Sequence, residues 1–245
     1  MANSIQRAGK FLLDRSLVPM LRYLSAQTQP AMLGSTLVNL ARMRAIESSL
    51  LYAEAKMPDA LMFTRRVELW DYALNKICLT GTCAEFGVFK GDSINYFAGR
   101  LPTVYGFDSF EGLREDWKGW VCPKGTFDLQ GKLPKVKPNV RLIKGWFDVT
   151  IPDFLAQHPG PFAFVHIDCD TFEATEVMLS LIGSYLVPGT VLVFDEYFGY
   201  RGWQSGEFKA WMDYTERTGT EYEYLAFSAH QVALQIAASS LDPKG

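Results

Sequence analysis

Four acidic side chains stand directly after two short segments of mainly apolar residues. Asp168 and Asp170 follow the first segment, and Asp195 and Glu196 follow the second. Side chains of a strand alternate between its two faces, so Asp168 and Asp170 are expected to point to the same side. Hard divalent cations such as Mg²⁺ prefer carboxylate oxygens, so the four acids suggest a metal site. The alternative is that single acids among them only cap the helix or loop that follows.

The two apolar segments, residues 162–167 and 190–194, predict neighbouring strands of a parallel sheet. Continuous apolar runs of this length are typical of strands that are covered on both faces. Residues 172–185 between them have the pattern of a helix, which Pro188 and Gly189 end. Ligands of open α/β sheets bind outside the carboxyl ends of the strands. The acids are therefore expected at a ligand-binding edge.

A glycine-containing turn follows an earlier strand in the segment AEFGVFKGDS. Glu85 closes the strand, Gly87 and Gly91 permit a tight turn, and Asp92 or Ser93 can cap the helix that follows. Glycines in such a turn let a ligand approach the backbone. The full GxGxxG spacing of a dinucleotide site is missing, which argues against a nicotinamide cofactor.

Two further positions at the same edge could contact a nucleoside. Asp108 ends the next strand about twenty residues after the glycine turn, where an acid can accept hydrogen bonds from ribose hydroxyls. The alternative for Asp108 is ordinary turn chemistry, because Asp-Ser pairs favour turns. Trp146 and Phe147 follow a third strand and could pack on an adenine ring or fill the edge of the sheet.

The chain organisation predicts a helical extension over residues 1–80 and an α/β domain over residues 81–245. Residues 35–55 and 64–79 have helical periodicity, with a break at residues 57–59 and no obvious strand. From residue 82 onwards strands and helices alternate, which predicts a doubly wound, Rossmann-like, mostly parallel sheet. The expected strands are 82–86, 103–107, 140–143, 162–167 and 190–194. Residues 221–236 predict an antiparallel hairpin at one sheet edge, and residues 111–139 an irregular insertion of the kind that forms lids.

Charge, cysteine pattern and the N-terminal segment indicate the expected partners and location of the protein. The 245 residues carry a formal net charge of −3 and no dense basic run, so nucleic acid is not an expected partner. The four cysteines form no CxxC pair and no Cys/His pattern, which is typical of reduced thiols in a cytoplasmic protein. Residues 1–24 resemble an amphipathic helix, not a signal peptide or membrane span. The helical extension favours a homo-oligomer.

Five segments occur together in an order that resembles the macrocin O-methyltransferase family of natural-product sugar methyltransferases. They are AEFGVFKGDS, VYGFDSFEGL, KGWFDVTIPDF, HIDCDTFEAT and PGTVLVFDEYFG, within roughly residues 80–215. The resemblance implies a class I S-adenosylmethionine-dependent methyltransferase with a seven-stranded sheet and a requirement for magnesium. Two positions depart from the family pattern. Cys169 stands where the family often has glycine, and Glu196 where it often has aspartate.

The resemblance also implies roles for individual residues. The cofactor residues lie near the first three strand ends: Glu85, Gly87 and Gly91 are implied on the methionine side, and Asp108 at the ribose. To these we add Ser93, Trp146 and Phe147 as further candidates for cofactor contacts. The metal ligands are Asp168, Asp195 and Glu196, and the general base is Asp170. His166 is a rival base because it lies in phase with Asp168 and Asp170 and titrates near neutral pH. A histidine inside an apolar strand is, however, more often a hydrogen-bonded core residue.

The sequence therefore predicts a magnesium-dependent O-methyltransferase that moves a methyl group from S-adenosylmethionine to a hydroxyl of a sugar or related small molecule. A second hypothesis keeps the fold but replaces the acceptor with a catechol-like diol. A third is a Rossmann-type nucleotide-sugar or NAD enzyme, which Asp108 alone would permit. A fourth is a non-catalytic binding or scaffold protein whose acids are solvated caps.

Overall fold

The computed structural model describes residues 18–117, 119 and 122–238. It forms two compact units, one ending at Arg44 and the other beginning at Ala45. The first unit, as far as it is described, is helical and belongs to α1 (Val18–Lys56), which continues into the second unit. The second unit contains the sheet and the remaining helices. The predicted amphipathic helix at residues 1–24 lies mostly outside the described residues.

The described part of the second unit contains one eight-stranded sheet in the order β1-β7-β8-β6-β5-β2-β3-β4. Its strands are β1 (Leu61–Met62), β2 (Thr82–Phe86), β3 (Val104–Asp108), β4 (Val140–Lys144), β5 (Phe162–Ile167), β6 (Val191–Phe194), β7 (Glu221–Phe227) and β8 (Val232–Ala238). Strands β2 to β6 are mutually parallel, and β8 runs antiparallel to both β6 and β7. All residues of β5 and β6 are buried, as expected for central strands covered on both faces.

Helices cover both faces of the sheet and create two hydrophobic clusters. The helices are α2 (Arg66–Leu74), α3 (Asp92–Phe97), α4 (Phe147–Gln157), α5 (Phe172–Ile182) and α6 (Glu207–Thr218), with short 3-10 helices at Gly183–Tyr185 and Trp203–Ser205. Alternate residues of β5 enter opposite clusters: Val165 packs with α4, α5 and α6, whereas Phe164 packs with α2 and α3. The predicted α/β class with a mostly parallel sheet is confirmed.

The prediction of seven strands is wrong, because Leu61–Met62 forms an additional strand. It pairs parallel to β7, with Leu61 opposite Ala226 and Met62 opposite Phe227. A strand of two residues is too short to show the alternation by which strands are predicted. The predicted hairpin is present, but β1 lies outside it, so the hairpin does not form the sheet edge.

The segment from residue 45 to residue 80 packs on the sheet. Leu69, Trp70 and Ala73 of α2 are buried in the same cluster as Phe164 and Val193 of the central strands. The indole ring of Trp70 lies 5.0 Å from the ring of Phe97 and 5.7 Å from that of His166. Helix α2 therefore covers the sheet directly beneath the acidic strand ends. The described helices include none that is long and apolar enough to cross a membrane.

Replacement of Trp70 by alanine tests whether α2 is part of the cooperative core. Trp70 is 2% exposed, and truncation of a buried tryptophan costs about 3–5 kcal/mol of unfolding free energy. We expect urea denaturation of Trp70→Ala to show a loss of this size. Met62→Ala is the control because Met62 is 73% exposed. Equal stabilities of the two variants would show that α2 does not contribute to the core.

Candidate active site

A cavity of about 430 Å³ opens at the carboxyl ends of the parallel strands. It is lined by residues that follow β2, β3, β4, β5 and β6, and by the first part of the insertion after β3. This is the edge at which open α/β sheets bind their ligands. The lining is partly aromatic, with Phe89, Trp117, Phe127, Trp146 and Phe147, and partly acidic. The cavity therefore combines faces for flat or ring-shaped groups with carboxylates.

Three of the four predicted acids converge beside this cavity, and two of them, Asp168 and Glu196, line it. One carboxylate oxygen each of Asp168, Asp195 and Glu196 lie within 4.8 Å of one another. The main chain continues the sheet pairing up to these residues, because Asp168 N–H donates to Phe86 O and Asp195 N–H donates to Ile167 O, each at 2.9 Å. The ladder thus fixes the backbone from which the carboxylates project.

The charges of this cluster favour a cation. Burial raises the pKa of Asp168 and of Glu196 well above the usual range, and repulsion by Asp195 raises both further. Glu196 Oε2 is buried without a hydrogen-bond partner among the described residues. Three convergent carboxylates with one unpaired buried oxygen suit a hard divalent cation, which supplies the missing positive charge. The residues present therefore fit the magnesium that the sequence predicts.

His166 lies behind the cluster and does not line the cavity. It is fully buried; its Nδ1 lies 2.8 Å from Glu85 Oε1, and its Nε2 lies 3.5 Å from Asp195 Oδ1. Burial alone would lower the pKa of His166, but the carboxylates of Asp195 and Glu85 raise it to about 10. These two contacts therefore favour the protonated form of His166. Its protonated state and its lack of access to the cavity argue against the predicted role as general base.

Asp170 does line the cavity, next to the cluster. Its backbone has φ of 64°, which is the left-handed region that few residues other than glycine, asparagine and aspartate adopt. This turn follows Cys169 and precedes Thr171, whose hydroxyl caps α5 by accepting from Ala174 N–H. Asp170 is thus not the cap of α5, and the residue forms part of the cavity lining.

A buried carboxylate that sequence analysis missed supports both acidic loops. Glu207, at the start of α6, has no exposed surface. Its Oε1 accepts from the main-chain N–H groups of Cys169 at 2.9 Å and Asp170 at 3.1 Å, and its Oε2 accepts from Glu196 N–H at 3.2 Å. Burial, followed by repulsion from Asp168, raises the pKa of Glu207 to about 8. An acid in the first turn of a helix normally indicates a solvated cap, so the sequence carries no signal for this role.

On the other side of the cavity, Asp108 fixes the glycine turn. Its Oδ2 accepts from the N–H groups of Val88 and Phe89, both at 2.8 Å, and its Oδ1 accepts from Phe110 N–H at 2.6 Å. Gly87 has φ of 91°, and a Cβ there would collide with the main-chain oxygen of Asp168. The turn after β2 and the loop after β5 therefore approach as closely as their backbones allow.

The structure separates the predicted cofactor residues into two groups. Gly87, Asp108, Trp146 and Phe147 line the cavity, whereas Glu85, Gly91 and Ser93 do not. Glu85 is fully buried against His166 and also hydrogen-bonds the Ser93 side chain. Gly91, in a left-handed conformation, is the N-cap of α3. The suggestion that Asp92 or Ser93 caps this helix is therefore incorrect, because α3 begins one residue earlier than such a cap requires.

The insertion after β3 closes one wall of the cavity. The Arg114 guanidinium lies 4.1 Å from the ring centre of Trp146 and 3.0 Å from Asp148 Oδ1, and the Thr171 hydroxyl donates to Glu115. Neighbouring residues of the insertion thus contact loops on opposite sides of the opening. Lys118 and Trp120 of the insertion lie outside the described residues.

Comparison with known proteins identifies the domain. Residues 84–197 match the model of a methyltransferase domain. The chain is similar to the crystal structure of the calicheamicin methyltransferase CalS11, with 22% identity over 96% of this chain and 91% of that chain and a TM-score of 0.53. It is also similar to the O-methyltransferase NovP, with 20% identity over 70% and 79% of the two chains and a TM-score of 0.54. No curated protein sequence matches significantly.

The matched residues include every strand end that lines the cavity, from the glycine turn after β2 to Glu196 after β6. The cavity therefore belongs to the methyltransferase domain itself. The match does not distinguish the macrocin family from other methyltransferases, so that resemblance stays a prediction. The prediction of enzyme class is confirmed, because residues 84–197 match a methyltransferase domain.

Proposed function

We propose that this protein transfers a methyl group from S-adenosylmethionine to a hydroxyl of a sugar or related small molecule, with a divalent cation at the acidic cluster. The observation that carries the proposal is the convergence of Asp168, Asp195 and Glu196 beside the glycine turn of a methyltransferase cavity. The resemblance to natural-product sugar methyltransferases supports the acceptor class. The aromatic lining supports it as well, because aromatic faces suit sugar rings.

The cofactor would occupy the half of the cavity formed after β2, β3 and β4. Gly87 lets the donor approach the backbone, and Trp146 and Phe147 offer apolar surface to the adenine. Asp108 holds the glycine turn through three main-chain N–H groups. A carboxylate has about four lone-pair sites, so it retains capacity to accept from the ribose hydroxyls.

The residues after β5 and β6 would serve the acceptor. Asp168, Asp195 and Glu196 would hold the cation, which lowers the pKa of a hydroxyl bound to it and orients that hydroxyl. The imidazolium of His166 keeps Asp195 ionised, since burial opposes ionisation of Asp195 but the contact with His166 holds its pKa below the usual value. His166 is therefore assigned an electrostatic and positioning role instead of proton transfer.

Asp170 is assigned as the base on geometric grounds. It lines the cavity beside the cluster and directly follows the loop that carries Asp168. Bound S-adenosylmethionine would supply the methyl group, which would pass to the acceptor oxygen while the carbon–sulfur electron pair stays on sulfur to give S-adenosylhomocysteine. Asp170 would accept the hydroxyl proton. Alignment of oxygen, carbon and sulfur contributes much of the rate.

A methyl-transfer assay with radiolabelled S-adenosylmethionine over glycosides, free sugars and catechols, with and without EDTA, tests the proposal. We expect transfer to a glycoside or sugar that EDTA abolishes and Mg²⁺ restores. Transfer to catechols alone would support the diol hypothesis instead. Transfer unchanged by EDTA would remove the cation from the mechanism, and calorimetric binding of NAD without binding of S-adenosylhomocysteine would refute the proposal.

Replacement of Asp168 by asparagine tests the cation site without an acceptor. In EDTA, we expect Asp168→Asn to melt at or above the wild-type temperature, because one of the repelling carboxylates is gone. A cation at 100 times its Kd adds about 2.7 kcal/mol to the free energy of unfolding. For a domain of this size, this corresponds to a rise in melting temperature of about 5–10 °C. We expect Mg²⁺ to raise the melting temperature of the wild type by this amount and to leave Asp168→Asn unchanged.

The exposed residue Asp153 provides the control for this experiment. Asp153→Asn, which carries the same chemical change on α4, should respond to Mg²⁺ like the wild type. An equal rise in melting temperature for all three proteins would locate the bound cation elsewhere on the chain.

Replacement of Asp170 by asparagine tests the base. Asparagine tolerates the left-handed backbone, so the loop should keep its path. Loss of a general base lowers kcat by about 10²–10⁴-fold, and we expect this loss with little change in affinity for S-adenosylhomocysteine. The control is Glu173→Gln, which removes a second carboxylate that lines the cavity. A kcat for Asp170→Asn equal to that of Glu173→Gln would exclude Asp170 as the base.

A further inference from the structure

We propose that Glu207 is a positioning residue that clamps the two acid-bearing loops, after β5 and after β6, in the register that the cation requires; this inference rests on the proposed function. Glu207 is fully buried and belongs to α6, not to either loop. It does not line the described cavity and is not part of the convergent group of Asp168, Asp195 and Glu196. It therefore acts through other residues.

Both carboxylate oxygens of Glu207 are used, and they serve different loops. Oε1 accepts from the N–H groups of Cys169 and Asp170 at 2.9 and 3.1 Å, and Oε2 accepts from Glu196 N–H at 3.2 Å. Cys169 directly follows the ligand Asp168, and Glu196 is itself a ligand. One rigid planar group thus fixes the distance between the two sources of cation ligands.

The backbone after β5 is shaped to receive this carboxylate. Two successive N–H groups converge on one anion when the second residue takes a left-handed conformation, and Asp170 has φ of 64°. Asp170 also lines the cavity. Without an acceptor at this point, the two N–H groups would be left buried and unpaired, which proteins avoid. Glu207 therefore supports Asp170 as well as the cation ligands.

The start of α6 places the carboxylate between the loops. Glu207 is the first residue of the helix, where the helix dipole favours negative charge. The aromatic residues Trp211 and Tyr214 of the same helix are buried in the cluster beneath the sheet, so α6 is a rigid support. The packing of α6 thus fixes the backbone of Glu207, and its carboxylate in turn binds the two loops.

Two substitutions separate positioning from simple charge. Glu207→Gln keeps the length of the side chain but replaces one accepting oxygen with a donating nitrogen, so it can serve only one of the loops. Glu207→Asp keeps the charge but is one methylene shorter, so it cannot reach both. If Glu207 only contributed negative potential, Glu207→Asp would bind cation as well as the wild type does. A clamp requires both variants to bind it less well.

The experiment measures Mn²⁺ affinity by electron paramagnetic resonance and S-adenosylhomocysteine affinity by calorimetry, with the full chain. Residues that orient metal ligands typically change metal affinity by about 10- to 100-fold, and we expect this loss in Glu207→Gln and Glu207→Asp. We expect S-adenosylhomocysteine affinity to stay near the wild-type value, because the cofactor half is formed after β2, β3 and β4. Glu216→Gln and Glu216→Asp, on the exposed face of α6, are the matched controls.

The outcomes distinguish this inference from the function on which it rests. Wild-type Mn²⁺ affinity in Glu207→Asp would overturn the clamp and leave the proposed function intact. Parallel loss of both ligands in the Glu207 variants would also overturn it, since Glu207 would then support the fold as a whole. Wild-type protein that binds neither Mn²⁺ nor S-adenosylhomocysteine would refute the proposed function itself.

Discussion

The structure depends on how a group of buried acids is kept in place at one edge of the sheet. Six carboxyl groups and one imidazole gather around the ends of β2, β5 and β6. Those of Glu85, Asp170, Glu207 and His166 are buried, and those of Asp168, Asp195 and Glu196 are half-buried. Buried like charges repel strongly because the protein interior screens them less than water does. Each acid therefore requires a proton, a donor or a cation.

The described residues compensate these charges in two different ways. His166 lies between Glu85 and Asp195 and supplies one positive charge to both. Main-chain N–H groups surround Glu207. Asp168 and Glu196 are compensated least: burial and repulsion by Asp195 raise the pKa of both, although the nearby His166 opposes the rise at Asp168. The least compensated acids are thus those that approach the cavity, where a ligand can supply the charge.

The sequence predicts the site well where a continuous run of apolar residues marks a strand. The runs at β2 and β5 are long enough, and sufficiently apolar, to give both strands their observed bounds, and the acids follow from the strand ends. Glu196 joins the cluster despite its additional methylene, although aspartate is usual in the resembling family. The sequence does not predict β1, whose two residues gain their structure only by pairing with a strand far along the chain.

The orientation of side chains is the other property that local patterns do not reveal. Strand phase predicts His166, Asp168 and Asp170 in one series, but β5 ends at Ile167 and Asp170 has a left-handed backbone. The pattern also does not show that the chain passes from the buried interior to the cavity within a few residues. Phase and exposure are independent, because exposure depends on what packs above the strand, here Trp70 of α2 over His166. The same limit conceals Glu207, since only the fold brings its helix against the two acidic loops.

The three proposed cation ligands differ in their support, and this difference suggests how the site keeps its geometry. Asp168 is held by the ladder between β2 and β5. Asp195 is held at Oδ1 from two sides, by His166 and by the Gln231 amide of the β7–β8 turn. Glu196 is held through its own N–H by Glu207. Because these supports come from separate elements, no single loop movement can displace all three ligands, and the spacing of the oxygens follows from the packing of the whole sheet edge.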